Sequence, residues 1–208
     1  CVTCGMAKIK PSFFVFEGLD GSGTTTQRQK LATYLVDKGY PVHETCEPTR
    51  DLTVGMLIRS MLTKKTPALC ARSMALLFAA DRVDHLEKVV EPQLRAGSFV
   101  LSDRFVTSSY AYQAVDSDWN REINKGIHSY PRPALTFYLS VPVDVVLQRI
   151  QARDGDRREF FEQKEFLERA YQVFETECYQ HDWVKVDGTM SPDKVHKEIV
   201  GAFERRFA

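Results

Sequence analysis

Apolar residues along this chain fall into short continuous runs, and longer stretches of helical periodicity separate them. Phe13 to Phe16 is one such run and ends in a glycine-rich turn, the pattern of a strand buried on both faces of a parallel sheet. Leu31, Tyr34 and Leu35 then recur at helical spacing up to Gly39, which completes a strand-loop-helix unit. Further strands are predicted at Val42 to Thr45, Phe99 to Leu101, Leu135 to Val141 and Trp183 to Val186. Helices are predicted over 69–90, 119–128, 142–152, 159–180 and 192–206. Such alternation predicts a three-layer α/β architecture. A five-stranded parallel sheet is flanked by helices, and ligands sit beyond the carboxyl ends of the strands.

With 208 residues, 43% of them hydrophobic, the chain can fill one core. A single domain over 11–208 is expected, preceded by a flexible N-terminal extension over 1–10. Lys+Arg and Asp+Glu are both 28, so no overall charge draws the chain to nucleic acid or membrane, and any anion must be held by a local basic cluster. No run of 18 apolar residues and no charged-then-apolar leader occurs, so neither a membrane span nor a signal peptide is expected and a cytoplasmic location is. Cysteines at 1, 4, 46, 70 and 178 do not make a disulfide framework. Cys1 and Cys4 form a lone C-x-x-C, whereas structural zinc needs about four ligands.

The chemistry begins at "GLDGSGTTTQ", residues 18 to 27. Gly18 and Gly23 have the spacing of the phosphate loop G-x-x-x-x-G-K-[ST], but Thr24 stands in the place of the lysine. Gly18, Gly21 and Gly23, between a buried strand and a helix, let the backbone turn its N–H groups round an anion. Gly18, Leu19, Asp20, Gly21, Ser22, Gly23, Thr24, Thr25 and Thr26 are therefore candidates to hold the phosphates of ATP. Thr25 or Thr26 can supply a hydroxyl to Mg²⁺, and the register favours Thr25. Taken alone, the stretch also fits an ordinary glycine-rich turn whose threonines cap a helix, and Asp20 fits a turn aspartate bonding its own backbone. Losing one positioned donor typically costs about 10² to 10³ in rate, so a working enzyme needs a substitute cation.

A second constellation, "SDRFVTSSYAYQ", follows the third predicted strand. It puts Asp103 and Arg104 at the strand's carboxyl end, where this fold class holds ligands and where arginine suits bidentate phosphate contact.

At this point the sequence resembles the thymidylate kinase family. Five motifs carry the resemblance, in family order: "FEGLDGSGTTTQ", "EPTRDLTVGMLIR", "ALLFAADR", "DRFVTSSYAYQ" and the lid segment "QRIQARDGDRREFF". Together they span residues 13 to about 205. The resemblance implies a P-loop NTPase fold with a short mobile lid at about 149–159. It further implies transfer of the ATP γ-phosphoryl group to dTMP in dTTP biosynthesis, with Mg²⁺ as cofactor held by Thr25 and Asp103. For dTMP it implies Arg59 at the 5′-phosphate, Phe78 stacked on thymine and Arg82 bonding a thymine carbonyl. Arg104 falls between the donor and acceptor phosphates, and Ser108, Ser109 and Gln113 near the base. Tyr112 packs on the deoxyribose where a 2′-hydroxyl would clash. Asp20 orients the sugar and places Mg²⁺ through water, and Glu47 belongs to the same pocket.

Gly21 stands where one type of thymidylate kinase carries a loop arginine, so the chain resembles the type whose lid supplies it. Arg149 is then an ATP contact, and Arg153, Arg157 and Arg158 are candidate catalytic cations. Arg158 is extra relative to the family pattern, and the lid is about one residue shorter. Thr49 and Arg50 replace the usual two glycines, and Arg50 either adds a cation near the acceptor or sits in solvent. A homodimer packed through helices beside the sheet is implied, with no nucleic-acid or membrane partner. The alternative that Thr24 raises is a catalytically silent nucleotide-binding regulator.

Overall fold

The five apolar runs become five parallel strands: β1 (Phe13–Glu17), β2 (Val42–Cys46), β3 (Phe99–Asp103), β4 (Leu135–Ser140) and β5 (Val184–Asp187). Their order across the sheet is β2-β3-β1-β4-β5. This computed structural model describes residues 10–113, 116–127, 131–154 and 164–207. Cys1 and Cys4, most of the expected N-terminal extension, and the lid from Gly155 through Arg157 and Arg158 lie outside the described residues.

Alternation along β1 explains the layering. Phe14 and Phe16 meet Leu31 and Leu35 of α1 (Thr24–Asp37) and Ile199 and Phe203 of α9 (Pro192–Phe207) on one face. Phe13 and Val15 face the opposite way, toward Leu86, Val90 and Phe105. On that second face Tyr138 of β4 packs with Leu167 and Phe174 of α8 (Lys164–Gln180) and with Val146 and Ile150 of α7 (Val143–Asp154). Every β1 residue is buried, as a central parallel strand requires.

Several boundaries differ from the sequence expectation for identifiable reasons. β3 continues through Ser102 and Asp103 because both pair with β1 and β2, although neither is apolar. β4 stops before Val141, which precedes a proline. The helix predicted over 69–90 is three pieces: α3 (Ala71–His85), a π-helical turn (Leu86–Val90) and α4 (Glu91–Arg95). Pro92 has no N–H for the regular ladder, and the wider turn absorbs that loss. Two helices beyond those predicted appear, α2 (Thr53–Leu62) and α5 (Val106–Tyr112). Asp116 caps α6 (Ser117–Lys125) by accepting from Trp119 N–H, which starts that helix two residues early. Among the described residues no helix is long and apolar enough to cross a membrane.

Candidate phosphoryl-transfer site

The carboxyl ends of β1 and β3 lie side by side, since Phe16 pairs with Asp103. The loop after β1 therefore meets the segment after β3. Gly18 is required there by space as well as by its φ of 155°: a Cβ would stand 2.9 Å from Leu139 O and 2.7 Å from Ser22 Oγ. Gly23 precedes α1 with φ 100°. No side chain caps α1 and no acidic residue stands in its first turn, so its leading N–H groups and positive dipole end are left for an anion. Thr24 is buried.

Thr25 Oγ1 donates a short hydrogen bond to Asp103 Oδ2. Asp103 Oδ1 is buried and has no hydrogen-bond partner among the described residues. A hydroxyl beside a half-used carboxylate fits Mg²⁺, which binds through one or two carboxylates plus phosphate oxygens and water. Among the described residues no group of three or more His, Cys, Asp or Glu could hold a metal alone, so such an ion needs the oxygens of a nucleotide.

Arg104 lies between the loop and α5. Its Nη2 pairs with Asp20 Oδ1, and its Nη1 donates to Ser108 Oγ at 3.0 Å and to Gly18 O at 3.4 Å. The guanidinium stands 4.7 Å from the Tyr112 ring centroid. Burial opposes its charge, but Asp20, Tyr112, Asp103 and Glu17 raise its pKa well above the ordinary arginine value. Tyr112 accepts the Asp20 N–H at 3.0 Å, and burial raises its own pKa, so the phenol stays neutral.

The residues assigned to the base sit on one buried network. Arg82 Nε pairs with Glu47 Oε2 at 2.9 Å, Nη1 donates to Asn124 Oδ1, and Nη2 donates to Ser109 Oγ at 2.8 Å and Phe105 O at 3.5 Å. Gln113 Nε2 also donates to Ser109 Oγ, at 3.0 Å, while Gln113 Oε1 is buried without a partner among the described residues. Glu47 lies just past β2 and is buried, with its second oxygen 3.0 Å from His85 Nδ1. Burial works against its charge, but the Arg82 guanidinium and His85 hold its carboxyl below the ordinary range. Phe78, one turn before Arg82, is half-buried and outside the three core clusters.

Arg59 is not a free surface charge. Its Nε donates to Pro48 O and Thr49 O at 3.1 Å each, so it clasps the turn after β2. Thr49 is buried and bonds Asp81 through its N–H (2.8 Å) and its hydroxyl (2.5 Å), while Arg50 is exposed. Arg149 reaches back from α7 to Gly21 O at 3.4 Å and Gly188 O at 2.9 Å. Arg153, exposed, is on the last turn of the same helix.

Sequence reasoning missed Glu17, Asp81, His85 and Asn124. Each is a buried polar group whose partner comes from a distant segment. Glu17 and Asp81 do fall inside two of the quoted motifs, "FEGLDGSGTTTQ" and "ALLFAADR", and Asp81, Arg82 and His85 are polar positions in one helix, as Asn120 and Asn124 are one turn apart, but none of these patterns names a partner. Behind this site a cavity of about 840 Å³ opens between α5, α6 and α8. It is lined by Glu17, Thr107, Tyr110, Arg121, Thr136 and Glu177, among others, and not by the phosphate-type loop, Arg104 or Asp103.

Comparison with known proteins agrees with this geometry. The family model described as thymidylate kinase matches residues 16–199. The thymidylate kinase of Fervidobacterium nodosum is 37% identical over 196 residues, covering 92% of this chain and 98% of the relative. That of Nitrosomonas eutropha is 36% identical over 200 residues, covering 93% and 92%, and that of Thermosipho africanus is 34% identical over 198 residues, covering 93% and 98%. A phosphate-type loop, an arginine at the end of β3 and matches across nearly the whole length lead to one conclusion: the chain belongs to the thymidylate kinase family.

Proposed function

We propose that this protein transfers the γ-phosphoryl group of ATP to dTMP, giving ADP and dTDP, as a cytoplasmic step of dTTP biosynthesis. The observation that carries the reading is the meeting of the loop after β1 with Arg104, which bridges Asp20 and Ser108. Phosphoryl transfer asks a protein for positioning and for cations round the transferring group, and for little covalent chemistry. The loop N–H groups and the uncapped start of α1 bind the donor phosphates. Arg104 serves donor and acceptor phosphates together, and Arg59 takes the acceptor 5′-phosphate. Thr25 and Asp103, with Asp20 through water, would hold Mg²⁺, which would supply charge neutralisation at the phosphate oxygens.

Phe78 stacks on the base. Arg82 and Ser109 bond its edge, and the unpartnered Gln113 Oε1 suits a ring N–H. Glu47 holds Arg82 in place, and Tyr112 excludes a 2′-hydroxyl. Thr24 leaves the loop without its lysine, and lid arginines, Arg153 or Arg158 with Arg104 assisting and Arg157 beside them, cover that loss. Arg149 already faces the loop at Gly21. The enzyme works as a homodimer packed through helices beside the sheet, where Met56, Leu57 and Leu76 are 50%, 40% and 51% exposed.

The test is incubation with MgATP and dTMP while dTDP is followed directly, with dUMP and thymidine as parallel acceptors. Turnover of dTMP near the roughly 1 to 100 s⁻¹ typical of kinases is expected. Saturable dTMP binding without dTDP would establish the silent regulator instead, a reading that none of the named relatives supports.

A further inference from the structure

Glu17 ends β1 immediately before the phosphate-type loop and is 1% exposed. Its carboxylate accepts the Phe105 N–H at 3.0 Å, the Ser108 N–H at 3.4 Å and the Ser108 hydroxyl at 2.7 Å. Ser108 Oγ in turn accepts from Arg104 Nη1 at 3.0 Å. Arg104 has φ 74°, a left-handed backbone that a long side chain rarely adopts and that persists where the surroundings over-determine it. Glu17 supplies that constraint on the far side of the residue by holding the next N–H and the first turn of α5.

We propose that Glu17 is a positioning residue for Arg104: acting through Ser108, it fixes the left-handed turn and the direction of the guanidinium, so that the transition state of phosphoryl transfer depends on it more than ground-state nucleotide binding does. The proposal rests on the phosphoryl-transfer reading above.

The choice of a carboxylate supports it. Burial pushes the pKa of Glu17 to about 7, against the lowering effect of Ser108, Arg104 and the Phe105 and Ser108 N–H groups. A buried ion is a burden on folding that an equally sized amide avoids. In its ionised form the carboxylate offers acceptors only, which suits the two N–H groups and the Ser108 hydroxyl that point at it. An amide would also present N–H groups to Ser108 Oγ, competing with Arg104 for that acceptor.

The experiment compares wild type with Glu17→Gln at pH 8. A fall in kcat of about 10- to 100-fold is expected, at or below the roughly 10²- to 10³-fold cost of removing such a donor outright because Arg104 is displaced and not deleted, with KM for dTMP and ATP changed less than about threefold. Ser108→Ala should fall in the same direction, and the double variant should be no worse than the poorer single one. If Glu17→Gln does not fold, Ser108→Ala decides by its kcat and by the Arg104 Nε–H resonance, since Ser108 itself belongs to the acceptor pocket. In wild type kcat should drop as pH falls below about 7, and in Glu17→Gln that limb should vanish. The groups facing Glu17 and Arg104 are Asp20 from the loop, Asp103 from β3, Tyr110 and Tyr112 from α5, and Arg121 and Glu177 across the cavity.

A readout independent of activity is the Arg104 Nε–H resonance, which the Tyr112 ring 4.7 Å from the guanidinium should shift by its ring current in wild type and no longer shift in Glu17→Gln. A kcat within about twofold of wild type, a rise in KM alone, or an unmoved resonance would each overturn the proposal. Wild type that forms no dTDP would sink the functional reading, and the resonance would then judge the relay by itself.

Discussion

The Arg104 guanidinium lies over the face of Tyr112, 4.7 Å from its ring centroid, and the hydroxyl of that same tyrosine accepts the Asp20 N–H. The phosphate-type loop, the β3 arginine and the wall assigned to the sugar are thus one packed unit. Tyr112→Phe keeps the ring and removes the hydroxyl, and with it the bond from the Asp20 N–H. Its kcat/KM for dTMP should fall about 3- to 10-fold, the equivalent of one neutral hydrogen bond, and preference for deoxy over ribo acceptors should survive. Tyr112→Leu should lose that preference. Competition kinetics with the ribonucleotide check both, and an unchanged preference in Tyr112→Leu would rule out the ring as the wall.

Asp103 carries one oxygen bonded to Thr25 and one without a partner among the described residues. Asp103→Asn should raise the Mg²⁺ concentration for half-maximal rate by at least about 10-fold, because a carboxylate is the hard ligand this ion selects. A metal titration at saturating nucleotide measures it. An unmoved midpoint would place the ion elsewhere.

Gly55 of α2 is pressed against the turn that Arg59 clasps. A Cβ there would lie 2.1 Å from Thr49 Oγ1, 2.4 Å from Thr49 O and 2.7 Å from Asp81 Oδ1. Gly55→Ala should therefore destabilise the fold by about 1–3 kcal/mol through overpacking. KM for dTMP should rise as the turn shifts. Calorimetry and steady-state kinetics give the two numbers, and an unchanged melting temperature would mean that α2 moves freely.

Glu17 has a pKa near 7 in the fold against 4.5 ordinarily, so folding favours its protonated form. That advantage is complete below pH 4.5 and is lost as pH rises through 7. Relative to wild type, Glu17→Gln should gain about 3 kcal/mol of stability between pH 4 and pH 8, at about 1.4 kcal/mol per pKa unit. Denaturant titrations at the two pH values test this. A difference independent of pH would show that the carboxyl titrates normally.

Arg158→Ala should lower turnover by about 10²-fold, the scale of one lost charge-stabilising donor, and leave ATP binding nearly intact. Comparison of kcat with ATP affinity measured by calorimetry separates the two effects. Unchanged turnover would exclude Arg158 as the stand-in for the loop lysine.

The fold class, the five strands and the residues of the loop and of the segment after β3 were legible in the chain itself. Apolar runs, glycine spacing and a charged pair at a strand's end are local patterns, and backbone sterics translate them directly into elements. Tertiary structure alone decided which polar groups meet. Glu17 and Ser108 are 91 positions apart, Thr25 and Asp103 are 78, and Arg82 joins Glu47, Asn124 and Ser109 from three segments. The physical reason lies in β1 pairing with β3, which sets the chain ends of two distant strands next to each other. No local pattern encodes that adjacency, because a buried polar side chain is stabilised only by the partner that the sheet brings to it.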